Sequence, residues 1–173
     1  MSNYKALLTE VDTFIFDYDG VMTDGKLILQ HEGNPLRSAN VKDGYALQLA
    51  VRLGYRVVII SGGISRSVEN RFEALRIKDV FLGVSNKLEI LNSYIAENHL
   101  DPQKMVYMGD DIPDYKVMQE VGVPCCPADA SEEIKNISIY ISDKKGGDGC
   151  VRDIIEQVLK VQGKWMTKEG FSW

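Results

Sequence analysis

The sequence predicts an α/β protein, a Rossmann-like parallel sheet with helices on both faces. Two observations carry this. Short β-branched or aromatic runs alternate with amphipathic stretches along the chain. Three of those runs end in polar, glycine-containing segments, "DYDG", "SGG" and "GDDIPD", as expected where strands deliver residues to the carboxyl edge of such a sheet. At 173 residues the chain suits one domain with a sizeable core.

In chain order, 13–16 ("TFIF") reads as the first strand, followed by 56–60 ("RVVII"), 104–108 ("KMVYM") and 138–141, with shorter candidates at 80–82 and 123–125. Between them, 44–53 places Ala46, Leu47, Leu49, Ala50 and Leu53 at helical spacing. Further helices are expected over 64–75, 86–97, 113–120, 131–136 and 151–161. One segment interrupts the alternation. The stretches 26–30 and 36–41 flank "HEGNP", which predicts a β-hairpin insert over about 25–41. Its consecutive Leu27, Ile28 and Leu29 make both faces apolar, so the hairpin is expected to meet another copy of the chain. The glycine-rich "KKGGDG", at the start of a C-terminal segment over about 144–173, is expected to be mobile.

Composition excludes several classes. Hydrophobic residues make up 45% and charged residues 26%, and 20 basic against 25 acidic residues leave a net charge of −5. That balance argues against nucleic acid as partner. The apolar runs are too short to cross a membrane, and "MSNYKALLTEV" lacks the features of a secretion signal. Three cysteines, Cys125, Cys126 and Cys150, have no C-x-x-C spacing. They read as packing residues in a reducing compartment, the cytoplasm.

The expected strand ends collect chemistry-bearing residues: Asp17 and Asp19 after the first, Ser61, Gly62 and Gly63 after the second, and Asp110, Asp111 and Asp114 after "KMVYM", with Lys87 near the start of a helix. Each has an ordinary alternative. Ser61, Asp110 or Asp111 could cap a helix, and Lys87 could be a solvated side chain. Jointly they read differently. Converging carboxylates need a counter-charge, and an all-oxygen site suits Mg²⁺. A hydroxyl, glycine amides and a lysine beside it suit phosphate. Together they point to phosphoryl chemistry.

The motifs "FDYDGVMTDG", "VVIISGG", Lys87 and "GDDIPD" resemble, in order and spacing, the four motifs of the haloacid dehalogenase superfamily of phosphotransferases. The resemblance implies that Asp17 is the nucleophile and Asp19 the proton donor and acceptor. Ser61 and Lys87, with Gly62, would bind the transferring phosphoryl group. Asp17, Asp19 through its carbonyl, and Asp110 would hold Mg²⁺, with Asp111 and Asp114 supporting or completing the set. Between the motifs there is no room for a cap domain. The chain is similar to capless members acting on the 8-phosphate of an eight-carbon sugar acid, 3-deoxy-D-manno-octulosonate, a lipopolysaccharide precursor. Those members are homotetramers that pack hairpin against hairpin. "NVKDGYAL" and the glycine-rich tail resemble theirs, which implies substrate contacts from Lys42, Asp43 and Arg152, with Arg66 a further candidate. Two features depart from the pattern: Tyr18 replaces a commoner aliphatic residue, and Gly63 stands where relatives often carry a charge. The alternatives are a phosphatase for a nine-carbon sialic-acid-type sugar phosphate, a receiver-like phospho-signalling domain, and an inactive scaffold.

Overall fold

The computed structural model describes residues 4–172. Six strands, β1 (Thr13–Phe16), β2 (Arg56–Ile60), β3 (Asp79–Phe81), β4 (Met105–Met108), β5 (Val123–Cys126) and β6 (Tyr140–Ile141), form one sheet in the order β3-β2-β1-β4-β5-β6. Every pairing is parallel. The first strand is therefore central, and the order reverses beside it, where an open α/β sheet forms its crevice.

Seven α-helices connect and flank the strands: α1 (Tyr4–Leu8), α2 (Val41–Arg52), α3 (Arg66–Ala74), α4 (Lys87–Asn98), α5 (Tyr115–Met118), α6 (Glu132–Ile137) and α7 (Cys150–Val161). Because successive strand residues face opposite sides, the sheet divides two cores. Phe14, Phe16, Val57, Ile59, Val106 and Met108 face α2 and α7, whereas Ile15, Val58, Ile60, Met105 and Tyr107 face α4, α5 and α6. Both faces of the central strands are covered, which is why these strands read as continuous apolar runs.

All three cysteines are buried and free, in keeping with a packing role. Tyr18 is accommodated in the core, edge-on to Phe72 at 5.6 Å between ring centroids. The short α1 and a 3-10 turn at Lys168–Phe171 are additions to the expected elements. That turn docks on α2, where the Tyr45 hydroxyl donates to the Gly170 carbonyl and Arg52 to the Ser172 carbonyl at 2.7 Å. Trp173 lies outside the described residues.

Two expectations change. The arms of the insert meet through a single antiparallel bridge, Ile28 with Leu36 (N–H to O 3.1 and 3.0 Å), and build no regular strands. Its second arm is cut short because Asn40 caps α2, accepting from the Lys42 N–H at 2.8 Å. The glycine-rich segment expected to be mobile instead packs against the loop after β1. Gly147 N–H donates to Val21 O at 2.9 Å, Gly146 N–H to Asp129 at 2.9 Å, and Asn40 to Gly147 O at 3.0 Å. A β-carbon at Gly146 would lie 1.9 Å from the Gly20 carbonyl oxygen, so this contact excludes any side chain.

Candidate active site

The sheet register explains the convergence. Phe16 pairs with Ile59 on one side and Met108 on the other, so Asp17, Ser61 and Asp110 emerge together at the carboxyl edge. Asp17 is 6% exposed and its N–H donates to Met108 O at 3.0 Å. The chain then turns at Gly20 (φ +96°), where a β-carbon would lie 2.1 Å from the Asp110 carboxylate; only glycine admits both the turn and that approach. Thr23, fully buried, braces this loop by accepting from the N–H groups of Gly20 and Gly25 at 3.3 and 3.2 Å.

Lys87 opens α4, whose cap is Asn86. Its ammonium lies 2.8 Å from Asp17 and 2.7 Å from Asp114, with 8% of the side chain exposed. Burial would by itself lower the lysine pKa, but Asp114 and Asp17 outweigh it and raise the pKa above the usual lysine value. Asp114 is also held by the Tyr107 hydroxyl at 2.7 Å and by the Asp110 N–H at 3.3 Å. The solvated-side-chain reading of Lys87 is thereby excluded.

Oxygens of Asp17, Asp110 and Asp114 all lie within 4.8 Å of one another. One ammonium does not neutralise three carboxylates, and Asp17 and Asp110 bind protons more tightly than ordinary carboxylates. Burial, then Asp114, pushes Asp17 up to about 6; burial, then Asp17 and Asp114, pushes Asp110 up to about 8. An oxygen-only donor set with excess negative charge fits a hard divalent cation such as Mg²⁺. Asp111 is exposed and makes no capping bond.

Ser61 is 2% exposed. It does not cap the following helix, a position taken by Ser65; its hydroxyl accepts from the Gly63 N–H at 3.2 Å. The residues Asp17, Asp19, Ser61, Gly62, Lys87, Asp110, Asp111 and Asp114 line one cleft of about 800 Å³. A neighbouring groove of about 910 Å³ shares Val84, Ser85 and Asn86 with it and carries Arg66, which is exposed and paired with Glu69 at 3.0 Å. The larger groove holds no carboxylate cluster among the described residues, so the chemistry belongs to the smaller one.

The expected substrate contacts fare unequally. Lys42 is exposed at the start of α2. Asp43 is 3% exposed and accepts from the Arg152 N–H at 2.8 Å in the first turn of α7. Burial raises its pKa to about 6. Arg152 bonds Glu156 at 3.4 Å and lies over the rings of Tyr45 and Trp165. None of Lys42, Asp43, Arg66 and Arg152 lines the cleft; Asp43 and Arg152 join α2 to α7. Two residues went unnoticed in the sequence. Tyr107 could have been found as a lone hydroxyl inside a buried strand. Arg37 has no local signal, yet its guanidinium grips Asp19 at 2.6 and 3.0 Å.

Comparison with known proteins agrees with this site. Residues 77–154 match the haloacid dehalogenase-like hydrolase family. The 3-deoxy-D-manno-octulosonate 8-phosphate phosphatase of Escherichia coli (strain B / BL21-DE3) is 34% identical over 171 residues, covering 99% of this chain and 91% of that protein. The crystal structure of the phosphatase of that name from Yersinia pestis superposes with a TM-score of 0.91 at 31% identity, covering 94% of this chain and 88% of that one. The Moraxella catarrhalis structure, in complex with magnesium ion, phosphate ion and a KDO molecule, also gives 0.91 at 31% identity, with 95% of both chains covered. A matching fold, the carboxylate trio at the switch point of the sheet and end-to-end likeness to these enzymes place the chain among the haloacid dehalogenase-like hydrolases.

Proposed function

We propose that the protein is a Mg²⁺-dependent phosphatase that hydrolyses 3-deoxy-D-manno-octulosonate 8-phosphate to the free sugar acid and phosphate. The observation that carries this reading is the buried Lys87 bridging Asp17 and Asp114 beside Asp110, in a chain similar along 99% of its length to an enzyme of that name.

In the first displacement an Asp17 oxygen bonds to phosphorus as the bond to the sugar oxygen breaks. The departing alkoxide takes a proton from Asp19. In the second, water attacks the aspartyl-phosphate and gives its proton to Asp19, and the bond to Asp17 breaks, regenerating its carboxylate. Ser61 and Lys87, with the amide of Gly62, hold the phosphoryl oxygens. Asp17, Asp110 and the Asp19 carbonyl would hold the metal, with Asp114 and Asp111 at its margin. When bound, Mg²⁺ supplies the counter-charge to the phosphoryl oxygens. Lys42 and Arg66, the latter in the groove that adjoins the cleft, are exposed cations that we assign to the sugar-acid carboxylate.

Leu27, Ile28, Leu29 and Leu36 of the insert are 45%, 66%, 80% and 48% exposed. This apolar surface supports assembly of several copies through residues 25–41, a homotetramer by likeness to relatives. Among the described residues no helix is long and apolar enough to cross a membrane, and three buried free thiols suit the cytoplasm.

Phosphate release from the eight-carbon 8-phosphate and a nine-carbon sialic-acid-type 9-phosphate, with Mg²⁺ and with chelator, tests the reading. Mg²⁺-dependent preference for the eight-carbon substrate is expected. Preference for the nine-carbon substrate would overturn the assignment of substrate, and release unaffected by chelator would overturn the mechanism.

A further inference from the structure

Arg37 belongs to the insert, between exposed Leu36 and exposed Ser38, yet only 8% of its side chain is exposed. It leaves the surface to reach Asp19, donating from Nε to one carboxylate oxygen at 2.6 Å and from Nη2 to the other at 3.0 Å, while Nη1 reaches the Pro35 carbonyl at 3.3 Å. A bidentate fork of this kind fixes the plane and direction of a carboxylate, which a point charge does not.

Gly63 explains how the fork fits. A β-carbon there would lie 2.9 Å from Arg37 Nη2 and 2.9 Å from the nearer Asp19 oxygen. Gly63 has no positive φ, so backbone conformation does not demand glycine; a β-carbon there would press on the Arg37–Asp19 pair. Asp19, 33% exposed, is held by an arginine of the insert, whereas Asp17 and Asp114 are held by Lys87 at the start of α4.

We propose that Arg37 is the positioning residue for Asp19: the insert places a guanidinium across the space left by Gly63 and orients the carboxylate toward the leaving-group oxygen. Each carboxylate oxygen has a second lone pair outside the fork, so the grip leaves a site on Asp19 open to the reacting oxygen. The inference rests on the phosphatase reading above.

The test is leaving-group dependence in the Mg²⁺-loaded enzyme. An alkyl phosphate, here 3-deoxy-D-manno-octulosonate 8-phosphate, needs its leaving oxygen protonated; 4-nitrophenyl phosphate does not. General acid catalysis contributes about 10²–10⁴-fold, so Arg37→Ala should lower kcat/KM for the sugar phosphate by about 10–100-fold and for the nitrophenyl ester by less than about 3-fold. Arg37→Lys, restricted to one contact, should fall between. Gly63→Ala, which leaves the arginine in place but crowds the pair, should give the same asymmetry and guards against a misfolded Arg37→Ala. Equal losses on both substrates, a rise in KM alone, or no change would overturn the inference while the phosphatase reading stands. Wild-type protein that releases phosphate from neither substrate would overturn both.

Discussion

Asp17, Ser61, Lys87 and Asp114 are each less than 9% exposed and tied to neighbours through strand and helix ends. Leu27, Ile28, Leu29 and Leu36 of the insert lie open, joined by one antiparallel bridge. The strand ends are held by the sheet register, so their geometry is complete within one copy. The insert is joined by one bridge and leaves these four large apolar side chains exposed in the single chain. Arg37 is the link between the two regions, rooted in the insert and buried against Asp19.

The sharpest way to break the strand-end side of this contrast is Asp17→Asn. It should abolish Mg²⁺-dependent phosphate release by on the order of 10⁴-fold or more while the circular dichroism spectrum stays native; retained turnover would remove Asp17 as nucleophile.

Metal should come next. In the metal-free protein Asp17 and Asp110 are raised to about 6 and about 8, from an ordinary 3.8. Raised carboxylates contribute stability that is present below pH 4 and lost as pH climbs through 6 and 8. Mg²⁺ binds the deprotonated forms, so its increment to the melting temperature should be small at pH 5 and large at pH 8. Metal at a hundredfold excess over its Kd adds about 2.7 kcal/mol. An increment independent of pH would contradict a carboxylate site.

Gly146→Ala probes the support behind the catalytic loop. With 1.9 Å to the Gly20 carbonyl, the added methyl should cost about 1–3 kcal/mol in urea unfolding and lower activity by shifting the turn after Asp17. Unchanged stability would show that the glycine-rich segment is not packed there. The smallest effect on the single chain is expected on the insert. Leu29, 80% exposed, changed to Asp should alter stability within about 0.5 kcal/mol, yet lower the assembly state in sedimentation. An unchanged assembly would place the interface elsewhere.

The insert and the glycine-rich segment also mark where reading the sequence fell short. Turn-forming "HEGNP" between apolar arms signalled a hairpin, but Asn40 caps α2 and takes the last two residues of one arm. "KKGGDG" looked mobile because glycine lowers local order; its glycines instead permit a close approach to Gly20 and Val21, over 100 residues away in the chain. The partners of Asp43 and Arg152 within the chain, each other and Tyr45, Trp165 and Glu156, had no signal in the sequence.

By itself the sequence determined the sheet and the order of its motifs, and it singled out Asp17, Asp19, Ser61, Lys87 and Asp110 as candidates at the strand ends, because strand periodicity and motif spacing are local properties of the chain. Only the tertiary structure decided that Lys87 bridges Asp17 and Asp114, that Tyr107 donates to Asp114, and that Arg37 crosses Gly63 to hold Asp19. Those pairings join residues 7 to 70 positions apart, and distances of a few ångströms between such residues follow from sheet register and burial, which no local pattern encodes.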